Sequence, residues 1–109
     1  MSPDGPERPR APASVVWTER ALTLLGAIHT YIAAASPVYA ARVVDRVLAR
    51  VEDLATFPES GRQIPEYGAV ELREVLEGPY RILYRYRPEA RRIEVLAVVH
   101  GRQLLPPRP

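Results

Sequence analysis

Arginine recurs along Tyr80-Arg81-Ile82-Leu83-Tyr84-Arg85-Tyr86-Arg87, and the next apolar run, Ile93 to Val99, ends on His100-Gly101-Arg102. A guanidinium grips phosphate or carboxylate through two parallel hydrogen bonds. An imidazole exchanges a proton near neutrality. Two adjacent strands carrying these groups would gather cations and one titratable ring on a small sheet, suited to a polyanion or an acidic protein partner. The same groups could cleave RNA without a metal, by attack of the 2′-hydroxyl on the neighbouring phosphate. That reaction needs a base, an acid for the leaving oxygen, and cations against the developing charge. His100 could be base or acid. Arg62, Arg73, Arg81 and Arg85 could supply the cations, Glu74 or Glu77 an alternative base, and Tyr80, Tyr84 or Tyr86 a stacking surface for bases.

Each of these groups also has a plainer role. A histidine ending a strand is often structural, and tyrosines at alternate positions can belong to a core. Arg62 and Arg73 could pair with Glu59, Glu66 or Glu71 and hold the fold. Arg42, Arg46 and Arg50 line one face of a helix, but Asp45, Glu52 and Asp53 interrupt them, as on a solvated face. His29 lies mid-helix and reads as ordinary. No nucleophile–base pair, metal-ligand cluster or groove-reading motif stands out, and no cofactor is implied.

The positioning elements follow from the apolar spacing. Val15-Val16-Trp17 reads as a short strand. Thr18 reads as a helix N-cap, with Trp17 and Leu22 at hydrophobic-staple spacing. Ala21, Leu24, Leu25, Ile28, Tyr31, Ile32 and Ala35 then repeat with helical period. Ser36-Pro37 restarts the pattern as cap and first helical residue. Ala40, Val43, Val44, Val47, Leu48, Val51 and Leu54 make the second apolar face, which should stop near Phe57-Pro58. Glu59 to Arg62 reads as a turn and Gln63 to Tyr67 as an irregular link. Three strands follow, Val70–Leu76, Tyr80–Tyr86 and Arg92–Val99, joined by turns at Glu77-Gly78-Pro79 and Pro88 to Arg91. The expected fold is α+β (β-α-α-β-β-β), with a helical hairpin packed on a small, mainly antiparallel sheet.

All 15 basic residues of the 109-residue chain are arginine, and the formal net charge is +2. The absence of cysteine excludes disulfides, thiol chemistry and thiolate zinc sites. No run approaches a membrane span of roughly 20 apolar residues, and no signal peptide is visible, so the expected location is cytoplasmic. Prolines at 3, 6, 9 and 12 mark residues 1–13 as a tail, and Leu105 to Pro109 as another. The length fits one domain, residues 14–104.

The order of several short pieces resembles the RelE/ParE superfamily of toxins from type II toxin–antitoxin pairs, over roughly Val15 to Gln103. The pieces are Val16-Trp17-Thr18, Tyr31-Ile32, Ser36-Pro37, Leu54 through Phe57-Pro58-Glu59-Ser60-Gly61-Arg62, Pro65-Glu66, Leu72-Arg73-Glu74, Tyr80 to Arg85 and Val99 to Arg102. Their wording is closer to the ParE branch. That resemblance implies a toxin that inhibits DNA gyrase by binding and is neutralised by a cognate antitoxin folding onto it. Arg62, Arg73, Arg81, Arg85, His100 and Arg102 would then be target contacts. The RelE branch implies instead a ribosome-dependent messenger RNA endoribonuclease using His100, Arg81 and Arg62. A third possibility is a non-toxic protein of the same fold that binds an antitoxin-like partner. Gln103 departs from the pattern, standing where a second basic residue commonly follows His-x-Arg.

Overall fold

The computed structural model describes residues 11–105. Strand β1 (Ser14–Trp17) leads into α1 (Glu19–Ala33) and α2 (Pro37–Thr56), followed by β2 (Arg62–Gln63), β3 (Leu72–Glu77), β4 (Tyr80–Arg87) and β5 (Arg92–His100). The five strands form one sheet in the order β1-β5-β4-β3-β2. β1 runs parallel to β5, and every other pair is antiparallel. The fold is therefore α+β, as the apolar spacing predicts.

Local chemistry sets the helix ends. Thr18 Oγ1 accepts from the Ala21 N–H at 3.1 Å, and the same hydroxyl donates to the Val95 carbonyl at 2.8 Å, tying the start of α1 to β5. Ser36 Oγ accepts from the Tyr39 N–H at 3.1 Å, with Pro37 at the first helical position. Both caps satisfy amides that the first turn leaves without a partner. α2 ends at Phe57 because Pro58 disfavours helical geometry in the residue before it. Leu22 is largely exposed, whereas Trp17 is partly buried against the helix-facing core.

The helices cover one sheet face. Ala21, Leu25, Val47, Val51 and Leu54 pack there against Val75, Ile82, Tyr84, Ile93, Val95 and Val98. The opposite face carries a second, smaller core of Ile64, Ala69, Leu72, Leu83, Ala97 and Val99. The segment between β2 and β3 thus lies over that face, where an irregular link was expected. Arg62 and Gln63 are themselves a short edge strand. β3 begins at Leu72, not Val70, because the Leu72 N–H closes a turn onto the Ala69 carbonyl and leaves Val70 exposed.

A register shift between β4 and β5 matters most for function. Leu83 lies opposite Ala97, yet Tyr84 lies opposite Val95, so Leu96 is an extra residue on β5. One inserted residue reverses the side-chain alternation beyond it. It places Ile93 and Val95 under the helices and Glu94 on the other face, beside Arg85. The proline-rich ends fall largely outside the described residues. Within them, Ala13 is buried and Leu105 is partly buried against the second core.

Candidate functional site

One sheet carries the imidazole and the guanidiniums, as expected, but divides them between its two faces. Tyr80 pairs with His100, and Arg81 pairs with Val99. Adjacent positions on a strand point to opposite faces. His100 therefore shares the helix side with Tyr80, whereas Arg81, Arg85 and Arg62 lie on the face away from the helices.

On that face the arginines are held by carboxylates of the chain itself. Glu74, whose side chain is 0% exposed, sits between two of them. It accepts from Arg62 Nε at 2.6 Å and from Arg81 Nε at 2.5 Å. The outer nitrogens of Arg81 make a bidentate pair with Glu66 at 2.9 and 3.0 Å. The Arg81 guanidinium is thereby fully engaged, and its own pKa is raised by Glu66 and then Glu74. Arg85 pairs with Glu94 at 3.5 Å. Arg73 faces the other way, donating to the Gly61 carbonyl at 2.8 Å and the Glu59 carbonyl at 3.2 Å. Glu74 is enclosed by its two arginines and is not placed to take a proton from a substrate. Glu77 lines a small recess with Tyr39 and Arg46.

The Arg81 pairing gives a test at acid pH. The hydrogen bond from Arg81 is the largest cause that lowers the Glu66 carboxyl from 4.5 to about 2. Burial pushes the Glu94 carboxyl up, but hydrogen bonds and charge from Arg87 and Arg85 outweigh it and leave it lowered. A carboxylate with a depressed folded-state pKa stabilises the fold above its unfolded pKa and loses that contribution as pH falls through the folded value. The pairs should therefore support the fold above about pH 4.5 and fade towards pH 2. In thermal melts over that window, Glu66→Gln should flatten the pH dependence. A variant with the wild-type slope would remove this pair from the acid response.

His100 and Arg102 lie in a different setting. The Arg102 N–H donates to His100 Nδ1 at 3.2 Å. Gln103 closes the turn from both sides: its side-chain oxygen accepts from the His100 N–H at 2.7 Å, and its own N–H donates to the His100 carbonyl. The Tyr80 and His100 rings meet edge to face at 5.8 Å. Together with Leu24, Ala27, Ile28, Tyr31, Val98 and Gln103 they line a groove of about 370 Å³ between α1 and the end of β5. Tyr31, expected in the core, is instead 84% exposed on the groove wall. Tyr84 is a core residue and Tyr86 packs against the same core.

β1 pairs only with Arg92 to Val95. Among the described residues no strand pairs with Leu96 to His100 on that side. The groove is thus an apolar channel beside an open strand edge. The sequence signal for it was the width of the α1 apolar stripe, which extends through Leu24, Ala27 and Tyr31 past the surface the sheet can bury. Among the described residues no three His, Cys, Asp or Glu side chains could jointly hold a metal. No helix there is long and apolar enough to cross a membrane.

A helical hairpin over this mixed sheet, with ion-paired arginines on one face and an apolar groove on the other, defines a toxin of the RelE/ParE superfamily. Residues 15–105 match the family described as the ParE toxin of the type II toxin–antitoxin system, parDE, and the chain belongs to that family. The Y4kP protein of Sinorhizobium fredii is 40% identical over 83% of this chain and 90% of its own length. Toxin RelE2 of Caulobacter vibrioides is 44% identical over 66% of this chain and 78% of its own. The chromosomal ParDE toxin–antitoxin system from P. aeruginosa contains a chain of the same fold. It has a TM-score of 0.67 at 23% identity, covering 84% of this chain and 98% of that one.

Proposed function

We propose that this toxin acts as the ParE branch does, inhibiting DNA gyrase by binding, and that a cognate antitoxin neutralises it. The observation that carries this reading is the separation of His100 from Arg62 and Arg81 onto opposite sheet faces. Proton transfer and charge stabilisation must converge on one phosphate for RNA cleavage, and Arg62, Arg81 and Arg85 stand on the face opposite His100. Arg62, with a side chain 63% exposed, His100 and Arg102 are the outward contacts. Arg73, Arg81 and Arg85 support them by holding the sheet and its turns. Purified toxin in excess over gyrase should block supercoiling or accumulate cleaved DNA. Unimpaired supercoiling, together with ribosome-dependent RNA cleavage, would favour the endoribonuclease instead.

The antitoxin site is the α1–β5 groove. An extended segment laid there would gain main-chain hydrogen bonds from the open β5 edge and place apolar side chains against Leu24, Ile28 and Val98. Structures of relatives contain toxin–antitoxin pairs, which supports such a partner. Ala27 is exposed on the groove wall, so a larger charged side chain there blocks the channel without disturbing the core. Ala27→Arg should weaken antitoxin binding by about 100-fold, roughly 2.7 kcal/mol, with the thermal midpoint of the free toxin unchanged. Wild-type affinity, measured by calorimetry, would place the antitoxin elsewhere.

A further inference from the structure

The open side of β5 is closed at both ends by the chain's own hydrogen bonds. Near its start, the Val95 carbonyl accepts from the Thr18 N–H at 3.1 Å and from the Thr18 hydroxyl at 2.8 Å. The Leu96 carbonyl lies 3.4 Å from the same hydroxyl. At the far end, Gln103 stands in for a neighbouring strand. Its side-chain oxygen accepts from the His100 N–H at 2.7 Å, and its own N–H donates to the His100 carbonyl at 2.9 Å. A paired strand would give His100 the same two bonds.

The register fixes where the groups between these ends point. The Gly101 N–H donates inward, to the Pro79 carbonyl at 2.7 Å, whereas His100, opposite Tyr80, directs both its groups outward to Gln103. Inward and outward residues alternate along an antiparallel strand. The β4–β5 register is continuous from Ala97 to His100, so Val98 is outward as well. Among the described residues, the Val98 N–H and C=O are therefore the pair that this edge offers to a partner.

Gln103 stands where a second basic residue commonly follows His-x-Arg. A lysine or arginine side chain has no acceptor and could not take the His100 N–H, whereas an amide oxygen can. We propose that Thr18 and Gln103 restrict the antitoxin to a short extended segment paired with Val98, and that Gln103 is the positioning residue that ends this pairing before His100. The inference rests on the groove being the antitoxin site. Directly opposed residues share a sheet face, so the antitoxin residue facing Val98 points with it into the groove, towards Leu24 and Ile28. That residue is apolar.

Amide exchange of the isotope-labelled full chain, followed residue by residue by NMR, tests this in the free toxin and in complex with the full-length cognate antitoxin. In the free wild type the His100 amide should exchange slowly and the Val98 amide quickly, at every toxin concentration. Gln103→Ala should speed exchange at His100 about ten-fold, whereas Gln103→Glu, which keeps an acceptor, should hold the wild-type rate. In the Gln103→Ala complex, Val98 should gain protection and His100 should not. An unchanged His100 amide in free Gln103→Ala, or one that the antitoxin protects in that variant, would overturn the role of Gln103 and leave the groove in place. A Val98 amide that the antitoxin leaves unprotected would remove the antitoxin from the groove, and this pairing with it. Val98 protection in the free toxin that grows with concentration would also overturn it, since a second copy of the chain would then hold the edge.

Discussion

Replacing Glu74 by alanine should destabilise the toxin by about 3 kcal/mol, near the lower bound for breaking a buried ion pair. The carboxylate is fully buried and accepts from both Arg62 and Arg81. Without it, the Arg81 side chain, 10% exposed, keeps only Glu66. Arg62 is mostly exposed, and water replaces its lost partner at little cost. The effect therefore falls on Arg81. Arg81→Met in the Glu74→Ala background should recover part of the loss, because an apolar side chain of similar length leaves no buried charge unpaired, and Glu66, about half exposed, turns to water. Urea unfolding of the three proteins reads this directly. A loss below about 1 kcal/mol for Glu74→Ala would mean that the arginines do not depend on the carboxylate.

Gly61→Ala should be comparably damaging, for a steric reason. A Cβ on residue 61 would lie 2.5 Å from the Tyr84 hydroxyl oxygen, 2.7 Å from its ring and 2.7 Å from the Glu74 carbonyl oxygen. The carbonyl belongs to β3 and Tyr84 is fully buried, so neither yields cheaply. The Tyr84 hydroxyl also accepts from the Gly61 N–H at 3.0 Å and donates to the Pro58 carbonyl at 2.7 Å. Forced displacement of the turn would lose both bonds. Overpacking of about 1–3 kcal/mol and about 1–3 kcal/mol for the stranded polar groups give an expected loss of about 2–6 kcal/mol. Tyr84→Phe, which removes only the hydroxyl, should lose about 1–3 kcal/mol. It should not rescue Gly61→Ala, since the ring and carbonyl contacts remain. Equal stability of Gly61→Ala and wild type would show that the turn relaxes freely.

The same contacts give Phe57-Pro58-Glu59-Ser60-Gly61-Arg62, one of the pieces that carry the family resemblance, its structural role. Pro58 and Gly61 clasp the Tyr84 hydroxyl, Glu59 and Gly61 accept from Arg73, and Arg62 reaches Glu74. The motif holds α2 to the sheet. Helix ends were legible in the sequence because Thr18, Ser36-Pro37 and Phe57-Pro58 act on their immediate neighbours. Face assignments on β4 were legible from its alternation. The extra residue at Leu96 was not, because an apolar run buried on both faces gives no phase to read. That hidden shift decides that Glu94 meets Arg85, Arg87 and Arg92 and is not buried under the helices. Arg81 looked like a site residue because its partners, Glu66 and Glu74, reach it from another segment and another strand. Spacing alone could not distinguish a guanidinium already held from one that is available.

The central claim is that this toxin works by binding and that His100 moves no proton. The most direct measurement is to induce wild type and His100→Ala in growing bacteria and pulse-label DNA and protein synthesis separately over the first minutes. The account predicts early arrest of DNA synthesis with translation continuing, and a weaker arrest of the same kind in His100→Ala, which loses one target contact and no proton donor. Early arrest of translation, abolished by His100→Ala while antitoxin binding and fold persist, would contradict it and make the protein a ribonuclease.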